Sequence, residues 1–227
     1  MNPKRLYLVI TAHPDDLELL IGGSVAKWID QGHRVISVVV TSGDKGTKDP
    51  DISPFELAQT REKEALEAAA FLGIEKVIFL RKPDGEVADT RSLPFELTSL
   101  IRALKPHILV THDPWQPYDF HPDHQAVGRR VVEAIVASRD HLFLPGLEHA
   151  GLPRHRPEWL YLINWRNPDY YEDISEYLEK KLHAFSCHRS QVEQFQNPLD
   201  FLRNWAKELG QKAGVAAAEG FVRLRAS

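Results

Sequence analysis

Leu6-Tyr7-Leu8-Val9-Ile10-Thr11-Ala12-His13-Pro14-Asp15-Asp16-Leu17-Glu18 decides the fold. Its first half is an uncharged run of apolar and β-branched side chains, the pattern of a strand buried in a parallel sheet. Its second half turns abruptly polar. His13, Asp15 and Asp16 can bind a metal or move a proton, and Leu17-Glu18-Leu19-Leu20 opens a helix. In open α/β sheets, ligands sit just beyond the carboxyl ends of strands, which is where these three side chains fall. Aspartates at a helix start also serve as N-caps and suit the helix dipole. Capping accounts for one aspartate, but not for a His-Pro-Asp-Asp cluster answered far downstream by His121-Pro122-Asp123-His124.

The second cluster has the same setting. Ile108-Leu109-Val110-Thr111 reads as a strand with His112-Asp113 at its end, followed by a loop rich in proline and aromatic residues, 114–120. From Pro122 a helical pattern runs through Ala126, Val127, Val131, Ile135 and Val136. His121 and His124 are three apart, so within one helical turn their rings face the same way. Two strand ends then point imidazoles and carboxylates into one crevice. His13, Asp16 and His124 make a two-histidine, one-carboxylate set, which leaves coordination positions open as catalytic metal sites need.

Outward from these clusters the chain alternates. A helix over Leu17 to about Gln31 is interrupted by Gly22-Gly23. Each glycine costs about 1 kcal/mol relative to alanine in a helix, so close packing or close approach to the sheet is expected there. Arg34–Thr41 is a second strand, and the polar 42–54 loop has the length of a functional or mobile segment. A helix over Phe55–Leu72, a strand over Val77–Leu80, a turn at Lys82-Pro83-Asp84-Gly85 and a helix over Leu93–Leu104 follow. Trp159–Ile163 reads as a further strand, Ile174–His188 and Leu199–Leu209 as helices, and Phe221–Leu224 as a small strand or an oligomer contact. The order implies one Rossmann-like three-layer α/β domain over 1–227, with a mostly parallel sheet, helices on both faces and 195–227 as an appended helical tail. On spacing, Arg61 within Thr60-Arg61-Glu62-Lys63-Glu64 belongs to a solvated charged helix face. Asp84 before Gly85 is a turn residue. His33 is expected to serve the end of the first helix, and His141, His149 and His155 to be surface or packing histidines.

Composition narrows the function classes. With 227 residues, 43% of them hydrophobic, there is enough material for a sizeable core. A net charge of −4 without a basic run gives no nucleic-acid footprint. No apolar run of about twenty residues and no signal peptide is seen, which argues against a membrane span. A single cysteine, Cys187, allows no intramolecular disulfide. The expectation is a soluble cytoplasmic protein, with a homo-oligomer as an option.

The residues resemble the PIG-L/LmbE-like N-deacetylases, metal-dependent enzymes acting on N-acetylglucosamine-type sugars. The family's Ala-His-Pro-Asp-Asp-x-Glu motif stands as Ala12 to Glu18, its His-Pro-Asp-His as His121 to His124, and its late His-x-Ser-Gln segment as His188-Arg189-Ser190-Gln191. The resemblance runs from Leu6 to about Val192. It implies Zn2+ as the metal, although the ligand set also suits Fe2+, and a small N-acetylated sugar as substrate. It also implies that Arg61 holds the sugar and makes Asp84 a candidate for bonding its hydroxyls.

The chemistry is then removal of an acetyl group from an amide nitrogen. A divalent ion on His13, Asp16 and His124 polarises the carbonyl and activates water. Asp15, beside a ligand without needing to be one, fits the general base, and the resemblance implies the same. His121 fits the oxyanion stabiliser as an imidazolium. Asp123 and Asp113 are either histidine-orienting partners or caps, and Tyr118 either bonds the tetrahedral intermediate or is a rim aromatic. Competing readings are an amidase of a glycosylated thiol or metabolite, a non-haem iron oxygenase, and a non-catalytic sugar-binding module.

Overall fold

The computed structural model describes residues 3–226. Seven strands form one sheet: β1 Leu6–Thr11, β2 Arg34–Thr41, β3 Lys76–Lys82, β4 Ile108–His112, β5 Trp159–Ile163, β6 Tyr170–Asp173 and β7 Ala218–Arg225. Their order is β3-β2-β1-β4-β5-β7-β6, with β3 through β5 parallel and β7 antiparallel to both its neighbours. The chain moves outward from β1 to β3, returns to β4 on the other side of β1, and continues outward. The direction of winding therefore reverses between β1 and β4, and a crevice opens at such a point beyond the strand ends. Both histidine clusters follow these two strands.

Eight helices accompany the strands among the described residues: α1 Asp16–Asp30, α2 Pro54–Leu72, α3 Leu93–Leu104, α4 Pro122–Arg139, α5 Gly146–His149, α6 Leu178–Ser186, α7 Arg189–Val192 and α8 Pro198–Ala213. Strand alternation divides the core. Leu6, Leu8 and Ile10 pack with Ile36, Val38 and Val40 against Leu97 and Ile101 of α3 and Val127 and Val131 of α4. Tyr7, Val9 and Val110 face the other way, against Leu20, Val25 and Trp28 of α1. The central strands are thus apolar on both faces, which is why they read as unbroken hydrophobic runs.

The glycine pair has a specific cause. The helix is broken at Ile21 (φ −139°, ψ 19°), and the backbone N–H groups of Gly23 and Ser24 donate to the Glu219 carboxylate at 3.1 and 2.7 Å. Glu219 lies on β7, so a strand side chain caps the second half of α1, and buried Lys181 of α6 pairs with it at 2.5 Å. A Cβ on Gly23 would lie 2.7 Å from the side chain of Ile174. The expected close packing is therefore against the segment leading into α6, while the freed backbone N–H groups turn to Glu219 of the sheet.

The appended-tail reading of 195–227 needs correction in one respect. α8 is helical, but β7 is hydrogen-bonded between β5 and β6 and forms part of the sheet. Phe221–Leu224 reads as a strand, and the polar, glycine-containing Ala218-Glu219-Gly220 hides that it begins three residues earlier.

Candidate active site and metal centre

β1 and β4 run side by side, Ile10 opposite Thr111, so the residues after them share one crevice. The backbone N–H of His13 donates to Asp16 Oδ2 at 2.7 Å, folding the Asp16 carboxylate back toward the His13 ring. His13 Nδ1 is 3.2 Å from Asp16 Oδ2, His124 Nε2 is 3.3 Å from Asp16 Oδ1, and the two ring nitrogens are 3.3 Å apart. Ligand atoms about 2.0–2.2 Å from a tetrahedral metal stand roughly 3.3–3.6 Å from one another, so these spacings, with one Asp16 oxygen turned to each ring, suit a divalent ion held between the carboxylate and the two imidazoles.

Neighbouring carboxylates select the tautomers. His13 Nε2 lies 3.1 Å from Asp84 Oδ1 and 3.7 Å from Asp123 Oδ2, so it carries the proton and turns the Nδ1 lone pair to the triangle. His124 Nδ1 lies 3.2 Å from Asp119 Oδ2, which leaves Nε2 for the metal. Burial disfavours charge on both rings. Asp16 and the other carboxylates nevertheless hold His13 well above its ordinary pKa and His124 at about 9. Asp16 is held well below the usual carboxylate range and Asp84 at about 2, against the effect of burial, by the histidines they face. A pocket this rich in buried carboxylate favours a cation.

His112 is a fourth imidazole in the cluster. It stacks on His124 at 4.2 Å between centroids, and its Nε2 accepts the Ala12 N–H at 3.0 Å while lying 3.2 Å from Asp16 Oδ2. Burial, then the His124 charge, lowers it to about 4. With its Nε2 lone pair turned to Ala12, His112 braces the wall between the two strand ends; it also forms with Asp16 and His124, as His121 does with His13 and His124, a group whose ligand atoms lie within 4.8 Å of one another.

Asp15 occupies the N-cap position of α1, yet its side chain makes no capping bond. Its Oδ1 accepts from Arg61 Nη2 at 2.5 Å. Arg61, which spacing alone puts on a solvated helix face, is instead 3% exposed. Asp84, 6% exposed, lies beneath the His13 ring. His121 is the N-cap of α4, and its Nδ1 accepts the Asp123 N–H at 3.4 Å, so the proton sits on Nε2. Burial, reinforced by His13 and His124, lowers the His121 pKa.

The other expected residues are held differently. Asp123 accepts the N–H groups of Gly85 and Val87 at 2.6 and 3.2 Å, pinning the turn that carries Asp84. Asp113 accepts from Asn164 Nδ2 at 2.6 Å and from the Trp115 N–H at 2.9 Å, a brace between the β4 and β5 loops away from the histidine rings. Tyr118 is 74% exposed at φ +61°, with the Arg166 guanidinium over its ring at 5.7 Å.

Sequence reading missed Asp119, whose position five residues before His124 in an irregular loop follows no periodicity. It also left the late motif without a role. His188 Nε2 meets Glu18 Oε2 at 3.1 Å, Ser190 Oγ donates to Glu64 at 2.6 Å, and Gln191 Nε2 donates to the Gly46 carbonyl at 3.0 Å. This motif ties α1, α2 and the 42–54 loop together beside the metal triangle.

Residues 8–135 match the family model described as PIG-L, GlcNAc-PI de-N-acetylase. The diacetylchitobiose deacetylase of Thermococcus kodakarensis is 34% identical over 96% of this chain and 83% of its own length. The structure of the N,N'-diacetylchitobiose deacetylase from Pyrococcus horikoshii superposes with a TM-score of 0.91 at 35% identity, covering 98% of this chain and 84% of that one. A 4-oxalmesaconate hydratase of Pseudomonas putida is 26% identical over 82% of this chain and 74% of its own length. With its motifs at adjacent strand ends and these similarities along nearly its whole length, the chain belongs to the PIG-L family of GlcNAc-PI de-N-acetylase-like proteins.

Proposed function

We propose that this protein is a zinc-dependent N-deacetylase that removes the acetyl group from an N-acetylglucosamine-type sugar. The observation that carries it is the triangle of His13 Nδ1, the Asp16 carboxylate and His124 Nε2, with sides of 3.2–3.3 Å, beside the Asp15 carboxylate. Relatives named as diacetylchitobiose deacetylases, 34–35% identical, support the amide chemistry and the sugar.

A divalent cation held by His13, Asp16 and His124 supplies Lewis acidity toward the amide carbonyl and eases deprotonation of water. The remaining work belongs to the chain. Asp15 has one oxygen tied to Arg61 and the other without a protein partner among the described residues, and that second oxygen takes a proton from the attacking water. His121 Nε2–H donates to the carbonyl oxygen as negative charge develops there. The protonated Asp15 then returns its proton to the departing amine nitrogen, so the carboxylate is regenerated as acetate and the free amino sugar leave.

The test is release of primary amine and acetate from N-acetylglucosamine and N,N'-diacetylchitobiose by zinc-loaded protein. Asp15→Ala should keep the metal and lose nearly all turnover, whereas His13→Ala or His124→Ala should lose both. Fully zinc-loaded wild-type protein that releases no amine from either sugar, or an active Asp15→Ala protein, sinks the proposal.

A further inference from the structure

We propose that the groove beyond the end of β5 is a subsite for the second ring of an N-acetylglucosamine disaccharide, so that Trp165 and Trp205 set the length of sugar this protein prefers. The inference rests on the deacetylase reading above and adds to it a place for the part of the substrate that does not react. Tyr118, Trp165, Trp205, Arg166, Asn167 and Glu208 line an open space of about 430 Å³, the size of a small-molecule site. The Trp165 and Trp205 rings meet edge to face at 5.6 Å and 85°, and both are only half-buried.

This lining suits a carbohydrate. A pyranose offers a face of C–H groups that packs on an aromatic ring and a rim of hydroxyls that need hydrogen bonds. Indole and phenol rings supply the first, and guanidinium, amide and carboxylate groups the second. Packing alone accounts for the buried edges of the two indoles, which rest on the core. It does not account for the polar groups arrayed around their open sides.

Strand order decides which way a substrate extends from the metal triangle. On the β3 side the Asp84 turn is a fixed wall: Asp44 Oδ1 accepts the Asp84 N–H at 2.9 Å, and Asp123 accepts the N–H groups of Gly85 and Val87. On the β5 side the groove begins beside the site. Tyr118 precedes Asp119, whose carboxylate is 3.2 Å from His124 Nδ1, so one wall of the groove is a single residue from the partner of a ligand.

The groove is also braced. Gln116 Oε1 accepts the Trp165 N–H at 3.1 Å, and Asn164 Oδ1 accepts the N–H groups of Arg166 and Asn167 at 3.0 and 2.9 Å. Asn164 Nδ2 donates to Asp113, which gives that carboxylate a role away from the histidine rings. A Cβ on Gly220 would lie 2.6 Å from the Asn164 carbonyl oxygen, so β7 packs directly against this turn. Tyr118 is held at φ +61°, a conformation that a residue other than glycine keeps only where its surroundings fix it. A wall fixed before the ligand arrives loses little freedom on binding.

Zinc-loaded wild type, Trp165→Ala and Arg166→Ala should be compared for kcat and KM on N-acetylglucosamine and N,N'-diacetylchitobiose. Wild type should show a KM about tenfold lower for the disaccharide, the worth of one good stacking contact. Trp165→Ala should raise the disaccharide KM about tenfold and leave its kcat, and both constants for the monosaccharide, within about twofold. Arg166→Ala, at an exposed position, should raise the disaccharide KM about threefold with the same selectivity, and it keeps the test open if Trp165→Ala fails to fold. A wild type that uses the two sugars equally, or variants that lose activity on both in the same proportion, would overturn the subsite and leave the deacetylase reading standing. A zinc-loaded wild type inert toward both sugars overturns that reading and the subsite with it.

Discussion

His13 and His124 can each bind a metal through either ring nitrogen, and the carboxylates behind them settle which one is offered. Asp84 holds the Nε2 proton of His13, and Asp119 the Nδ1 proton of His124. Asp119→Ala should therefore weaken zinc binding by about 10–100-fold in a chelator competition while the fold stays intact, since loss of a ligand's orienting partner typically has that effect. Unchanged affinity would reduce Asp119 to a loop residue. His121 is a separate case because the proposed mechanism gives its Nε2–H to the carbonyl oxygen and not to the metal. His121→Ala should keep zinc and lower kcat by about 10²–10³-fold, the range found for removal of one oxyanion donor. Loss of zinc from this variant would instead make His121 a ligand, a role its ring could fill because it lies 4.3 Å from His13 and 5.0 Å from His124 between centroids.

At the scale of elements, α1 depends on residues from the end of the chain. Its broken middle exposes the N–H groups of Gly23 and Ser24, and Glu219 satisfies both while Lys181 balances the charge. Lys181 and Glu219 side chains are each 2% exposed, so Lys181→Met would strand a buried carboxylate. Such a change should cost about 3–5 kcal/mol in urea unfolding, the range for breaking a buried pair. A loss near zero would show that water reaches Glu219. Gly23→Ala should destabilise by about 1–3 kcal/mol through overpacking against Ile174. Both changes lie away from the metal triangle, and residual folded protein should retain its zinc stoichiometry.

At the scale of the molecule, the site is a junction between the two halves of the sheet. β1 leads to His13 and Asp16, β4 leads to His124, and the two strands are hydrogen-bonded neighbours at the point where the winding reverses. An ion held across that junction binds only the folded chain. Zinc at about 100 times its dissociation constant should add about 2.7 kcal/mol of stability, a rise of roughly 5–10 °C in Tm for a chain of this size. EDTA should reverse the rise, and His124→Ala should abolish it. An equal rise in that variant would place the ion elsewhere.

The sequence by itself determined the features that contiguous residues encode. Unbroken apolar runs marked the central strands, periodicity marked α3 and α4, and the two motifs identified His13, Asp15, Asp16, His121 and His124. Tertiary structure alone decided which distant groups meet: Arg61 with Asp15, 46 residues apart, Glu219 with Gly23, 196 apart, and His188 with Glu18, 170 apart. It also placed β7 inside the sheet and revealed Asp119 behind His124. The physical reason is that periodicity and capping act within a few residues of the chain. Burying a charge beside its partner depends on how the layers close, and no local pattern records that.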